Sequence, residues 1–327
     1  MQITNDQWAS LVSGWVRKYE TEDGYLTFRR FTEAETKSQE LRGRTKQPTT
    51  SAGMFIELEG NVKRISFDYR VVIGTTRKFY GFSVLEDGVP VKCLTRPLQV
   101  DEDTFVYEPT KPCRLTIFLP NLSATFFKNM EIEGEFRPVK RPRKLFIAGD
   151  SITQGYDAEE PHRSYANRLT EAMNAETLNQ AIGGDQYNEV NLDDLPEFTP
   201  DAVVINYGTN DWAHESDVKH NADRYLKKLS AAFPDSKIFV IEPIWRLAED
   251  EPETAVKNGV SLENVREFIR ESGARYGMTV IPGIDLVPHE PKYFSDGRLH
   301  PNDEGFDFYA ERLMAILKEK APELFEG

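Results

Sequence analysis

Lys144-Leu-Phe-Ile-Ala-Gly-Asp-Ser-Ile-Thr-Gln-Gly155 is where the grammar of the chain changes. Leu145 to Ala148 is a short, unbroken apolar run, as a strand buried on both faces requires. Small and polar residues follow at once, and a serine sits among them at Ser151. Comparable runs recur at Ala202-Val-Val-Ile-Asn206, Ile238-Phe-Val-Ile241 and Met278-Thr-Val-Ile281. Helical periodicity fills the intervals. Val218, Ala222, Tyr225, Leu226, Leu229 and Phe233 share one helical face, as do Leu262, Val265, Phe268 and Ile269. Phe306, Tyr309, Ala310, Leu313 and Leu317 mark a last helix. Strands alternating with helices predict a parallel sheet covered on both faces, an α/β/α three-layer domain. Sites in such sheets form beyond the carboxyl ends of the strands.

Upstream the period is two. Met54, Ile56 and Leu58 alternate with Phe55, Glu57 and Glu59, and Ile65, Phe67, Tyr69 and Val71 with Ser66, Asp68 and Arg70. Tyr80, Phe82 and Val84 repeat the pattern before a turn at Asp87-Gly88, and Leu115, Ile117 and Leu119 repeat it before Pro120. This predicts an antiparallel β-sandwich with a jelly-roll-like layout over residues 1–136. The stretch from Phe136 to Lys144 carries two prolines and five basic residues. We read residues 137–143 as a linker and 144–327 as the second domain.

Composition narrows the partners. The 327 residues include 40 Lys and Arg against 54 Asp and Glu, a net charge of −14. So acidic a surface repels nucleic-acid phosphates and anionic lipid, so neither is an expected partner. A small-molecule or oligosaccharide substrate is expected, and self-association into a homo-oligomer stays open. Cys93 and Cys113 are too few for a disulfide framework. His162, His214, His220 and His289 show neither a helical metal pair nor a cysteine neighbour in sequence, so no metal or other cofactor is expected. The opening segment lacks the basic start and apolar centre of a signal peptide, which predicts a cytoplasmic protein.

Four blocks follow strand ends. Gly149-Asp150-Ser151-Ile-Thr-Gln-Gly155 offers a hydroxyl that needs a base to become a nucleophile. Asn179-Gln-Ala-Ile-Gly183-Gly184-Asp185 offers bare backbone N–H groups, or simply a turn with positive φ. Tyr207-Gly-Thr-Asn210-Asp211-Trp212 offers a side-chain amide, or a helix cap. Ser295-Asp296-Gly-Arg-Leu-His300-Pro-Asn302 offers an imidazole and a carboxylate before the last helix.

In this order, the four blocks resemble the SGNH hydrolase superfamily, the GDSL-like esterases, over about residues 144–320. The resemblance implies Ser151 as nucleophile and His300 as general base. It implies an oxyanion hole of the Ser151 and Gly184 N–H groups with the Asn210 amide. This chain departs from the family in one respect. The family spaces acid and base as D-x-x-H, whereas three residues separate Asp296 from His300. Asp296 is still the expected third member, with a backbone carbonyl as the alternative. The β-rich front domain is similar in layout to carbohydrate esterase family two, which implies a serine esterase removing O-acetyl groups from carbohydrates such as xylo- or manno-oligosaccharides. A lysophospholipase or thioesterase on longer acyl chains is the alternative, and a non-catalytic carbohydrate-binding protein a more distant one. Trp212, Trp245 and Asp150, next to the blocks, are candidate substrate-binding residues. Trp8, Trp15, Tyr19 and Tyr25 are divided between core packing and a sugar cleft.

Overall fold

A computed structural model describes residues 2–99 and 101–326. The chain divides into two compact units. The first comprises residues 1–142 with 159–162 and 176–179, and the second comprises 143–158, 163–175 and 180–327.

In the first unit, antiparallel strands run as β1 (Arg17–Glu20), β2 (Leu26–Arg29), β3 (Phe55–Ile73), β4 (Phe79–Glu86), β5 (Val89–Pro97), β6 (Glu102–Tyr107), β7 (Cys113–Phe118) and β8 (Ser123–Pro138). They join in the order β1-β2-β8-β3-β7-β4-β5, with β6 and the short segment Val12–Ser13 also paired to β3. The expected antiparallel β-domain is therefore one continuous hydrogen-bonded network. Its unity comes from β3, which pairs with β7 through Phe55–Gly60 and with β6 through Ile65–Arg70 while β8 lies along it. Register shifts at Val62/Arg64 and Ser66/Asp68 bend that long strand, because each bulge adds a residue and local twist. Aromatic rings fill the interior: Phe67 stacks on Phe105 at 4.8 Å and meets Trp8 edge-on at 5.3 Å.

The basic stretch is mostly structure. Arg137 and Pro138 end β8, and β9 (Arg143–Gly149) begins after four intervening residues. Arg141 is buried against Glu57, with its guanidinium Nη2 2.6 Å from the carboxylate.

The second sheet is parallel where its registers are resolved, in the order β10-β9-β11-β12-β13, with β10 at Ala175–Asn179, β11 at Ala202–Asn206, β12 at Lys237–Ile241 and β13 at Thr279–Ile281. Leu145, Ile147, Val204, Phe239 and Ile281 point into a core shared with α2 (Tyr165–Ala172) and α5 (Asp303–Lys320), whose Tyr165 and Tyr309 rings stack at 4.3 Å. The alternate positions Phe146, Val203, Ile205 and Val240 are equally buried, and Phe146 packs on Phe233 at the end of α4 (Val218–Ala232). Burial on both faces is why these strands read as continuous apolar runs. Gly149 pairs with Asn206, and Asn206 with Ile241, so the carboxyl ends of β9, β11 and β12 finish on one line. Among the described residues, no helix is long and apolar enough to cross a membrane.

Candidate active site

Ser151 opens the four-residue helix α1 (Ser151–Gln154) directly after β9. Asp150 caps it, its Oδ1 accepting the Ile152 N–H at 3.0 Å. As the first residue of a helix, Ser151 has an N–H with no carbonyl partner inside that helix. Gly155 ends the turn in the left-handed region at φ +90°. The serine hydroxyl lies 2.9 Å from His300 Nε2. His300 Nδ1 lies 2.7 Å from Asp296 Oδ2. An ionised carboxylate only accepts, so Nδ1 carries the ring proton and Nε2 is left to accept the serine proton.

The extra residue between acid and base is taken up by a turn. Asp296 Oδ1 accepts the N–H groups of Arg298, Leu299 and His300 at 2.9, 2.8 and 3.2 Å. Gly297 holds φ +67°, and Phe294 bridges to Pro301 where the loop closes. Burial pushes the Asp296 carboxyl up, but the His300 hydrogen bond and those from the Leu299 and Arg298 N–H groups outweigh it. The group is held well below the usual carboxylate range.

Gly183 and Gly184 are glycine for different reasons. A Cβ on Gly183 would stand 2.5 Å from Tyr156 Oη, whereas Gly184 faces open space but holds φ +79°. Gln154 Oε1 accepts the Gly183 N–H at 2.7 Å, which ties this loop to α1. Asn210 lies in α3 (Thr209–Ala213), and its Nδ2 donates to the Asp185 carbonyl at 3.1 Å. An amide nitrogen has two hydrogens, so one remains for a ligand.

Two of the three candidate substrate contacts need correction. Asp150 is buried and spends its carboxylate on the α1 cap, so it shapes the serine turn. Burial, with Asp211 and Asp185 nearby, raises its pKa to about 7. Asp211 is likewise raised to about 7, chiefly by burial, and accepts the Tyr187 N–H. Trp245 is a core residue, stacked on His289 at 5.3 Å and packed against Phe294. Trp212 is the exception. Although nearly buried, it lines a cavity of about 180 Å³ together with Arg246, Lys257 and Arg298. In the first unit Trp8 is core, and Trp15 packs against that core. Tyr25 lies under Arg70 and Lys128, and exposed Tyr19 has Arg17 and Arg29 over its ring.

Other participants were not visible in sequence. Tyr156 stacks on the His300 ring at 5.7 Å and 27°. Asp157 accepts the Ser295 hydroxyl at 2.5 Å, fastening the start of the His300 loop. These contacts join residues 144 and 138 positions apart, with no local signal. A histidine also has a cysteine neighbour after all: Cys93 Sγ lies 3.8 Å from His162 Nδ1. With Glu160 these residues bring donor atoms within 4.8 Å of one another. Glu160 Oε2 lies 4.0 Å from the opposite ring nitrogen, Nε2.

The profile of the GDSL-like Lipase/Acylhydrolase family matches residues 147–308. An acetylxylan esterase from Xylanibacter ruminicola is 26% identical over 153 residues, covering 40% of this chain and 31% of that protein. The chain thus spans about a third of that relative. Among solved structures, the salicylyl-acyltransferase SsfX3 from a tetracycline biosynthetic pathway has a TM-score of 0.78 at 16% identity, over 94% of each chain. A family two carbohydrate esterase from Cellvibrio japonicus has a TM-score of 0.64 at 15% identity, over 98% of each chain.

Proposed function

Because residues 147–308 are a GDSL-like lipase/acylhydrolase domain, we propose that this protein is a serine esterase that removes O-acetyl groups from carbohydrates. The observation that carries the chemistry is the hydrogen-bonded chain Ser151–His300–Asp296, at 2.9 and 2.7 Å. Similarity to an acetylxylan esterase and to family two carbohydrate esterases supports the acyl group and the substrate class.

In the proposed reaction, Ser151 Oγ attacks the ester carbonyl as its proton passes to His300 Nε2. Asp296 keeps the imidazole in the required tautomer and stabilises its charged form. The carbonyl oxygen becomes an oxyanion that accepts from the Ser151 N–H, the Gly184 N–H and the second hydrogen of Asn210 Nδ2. Fixed donors lower the barrier here because the charge they meet exists only as the tetrahedral intermediate forms. Collapse breaks the bond to the sugar oxygen, which takes the proton from His300 and leaves as the alcohol. Water then repeats the cycle on the acetyl-enzyme: His300 takes its proton, its oxygen attacks, and acetate departs as Ser151 regains a proton.

Acetate release from acetylated xylo- and manno-oligosaccharides, followed by NMR beside p-nitrophenyl esters of two to twelve carbons, tests the reading. Ser151→Ala serves as blank. Sugar deacetylation with chromogenic activity confined to the shortest esters supports it. Preference for long acyl chains without sugar turnover overturns it.

A further inference from the structure

The cavity beside Trp212 is cationic in a protein whose net charge is −14. Arg246 lies over the Trp212 ring with Cζ 4.9 Å from its centroid, and Lys257 Nζ lies at 5.1 Å. Arg298 lines the same space. Arg246 Nη1 donates to Thr209 Oγ1 at 3.1 Å, and Lys257 Nζ donates to the Ala213 carbonyl at 3.1 Å. These are neutral partners. Among the described residues, no carboxylate lies within 4.0 Å of any of the three cations. Glu249, the acid nearest Arg246 in sequence, is committed to Arg266 at 2.8 Å. Glu251, the acid in the cavity lining, accepts from the Thr254 hydroxyl at 3.0 Å. Three cations against the one lining carboxylate of Glu251 leave the cavity net positive, and like charges gathered there repel one another, which a bound anion would relieve.

The cavity adjoins the catalytic residues. Arg298 stands between Asp296 and His300, and its carbonyl accepts the Leu247 N–H at 3.0 Å, holding the Arg246 segment against the His300 loop. Arg246 is in turn anchored on Thr209, next to Asn210. We infer that this cavity is a subsite for an anionic group on the alcohol part of the ester, so that the enzyme acts on acetylated acidic sugars, bearing a carboxylate or a phosphate. The guanidinium fork fits either anion, and Trp212 supplies the apolar floor. This inference rests on the proposed esterase function and names its substrate class.

The test compares acetylated methyl glucuronoside and acetylated glucose 1-phosphate with acetylated methyl glucoside. It also measures competitive inhibition of p-nitrophenyl acetate hydrolysis by glucuronate, inorganic phosphate and glucose. We expect kcat/KM for an acidic ester to exceed that for the neutral one by at least about tenfold, chiefly through KM. The ratio should collapse towards one in exposed Arg298→Gln, and independently in Lys257→Gln. The acid giving the larger ratio identifies carboxylate or phosphate as the anion. Equal kcat/KM for acidic and neutral sugars overturns the anion site and leaves the sugar esterase standing. Anion inhibition that depends on Arg298, with no sugar ester cleaved, upholds the anion site and removes the carbohydrate substrate. The absence of both acidic preference and anion inhibition overturns the inference.

Discussion

Asp296 precedes His300 by four positions, yet its Oδ2 lies 2.7 Å from the imidazole Nδ1. Three backbone N–H groups converge on the other carboxylate oxygen, so the loop is wound around the acid. Asp296→Asn keeps much of that shape but allows the amide to donate to the imidazole, favouring the wrong tautomer. We expect a loss of about 10⁴ in kcat with little change in melting temperature. A loss below about tenfold in a steady-state assay would return the role to a backbone carbonyl.

The two adjacent glycines separate sterics from backbone strain. Gly183→Ala places a methyl 2.5 Å from Tyr156 Oη, on the ring that stacks against His300. It should lower kcat by at least about tenfold, since small misplacements near the chemistry are costly. Tyr156→Ala in the Gly183→Ala background should restore part of the loss if the clash is the cause. Gly184→Ala meets open space and should instead cost about 1–2 kcal/mol of stability for its left-handed φ. Urea unfolding beside single-turnover kinetics distinguishes the two.

The parallel sheet was legible because strands buried on both faces must be continuous apolar runs, as Leu145–Ala148 and Ala202–Ile205 are. Ser151, Asn210 and His300 were legible because each follows a strand end or precedes a helix with its own cap. Burial was not legible in the same way. Asp150, Trp245 and Arg141 look exposed or available in sequence, and each acquires its partner from elsewhere: the Ile152 N–H, the His289 ring and the Glu57 carboxylate. Trp212 differs from Trp245 only in tertiary surroundings, which sequence periodicity does not carry. The cationic cavity escaped because Arg246, Lys257 and Arg298 are scattered through loops of an acidic chain.

Arg141 gives a direct stability test of that buried contact. Its guanidinium pairs with Glu57 and stands 4.3 Å from the Phe55 ring centroid, while Arg114 holds the same carboxylate at 2.8 Å. Arg141→Met removes one of two counter-charges from a buried acid. We expect a loss of about 3 kcal/mol in urea unfolding, at the low end for breaking a buried pair because Arg114 remains. The double change Arg141→Met with Glu57→Gln should recover part of it. A single variant as stable as the parent would show that the pair contributes nothing.

Stability should also fall as pH rises towards neutrality, against the usual trend for paired carboxylates. Burial raises both Asp150 and Asp211 from 3.8 to about 7. Between those values the folded chain binds more protons than the unfolded chain, so the free energy of unfolding decreases with pH. The effect is complete once pH exceeds about 7, where both groups are ionised in either state. Asp296 acts in the opposite sense, but its contribution is lost only below the unfolded carboxylate range. Asp211→Asn removes one titrating group while its amide oxygen can still accept the Tyr187 N–H. Unfolding free energies at pH 4.5, 6.0 and 7.5 should therefore decline less steeply for the variant than for the parent. Parallel slopes would mean that Asp211 ionises normally in the folded protein and that its burial is offset by groups other than those named here.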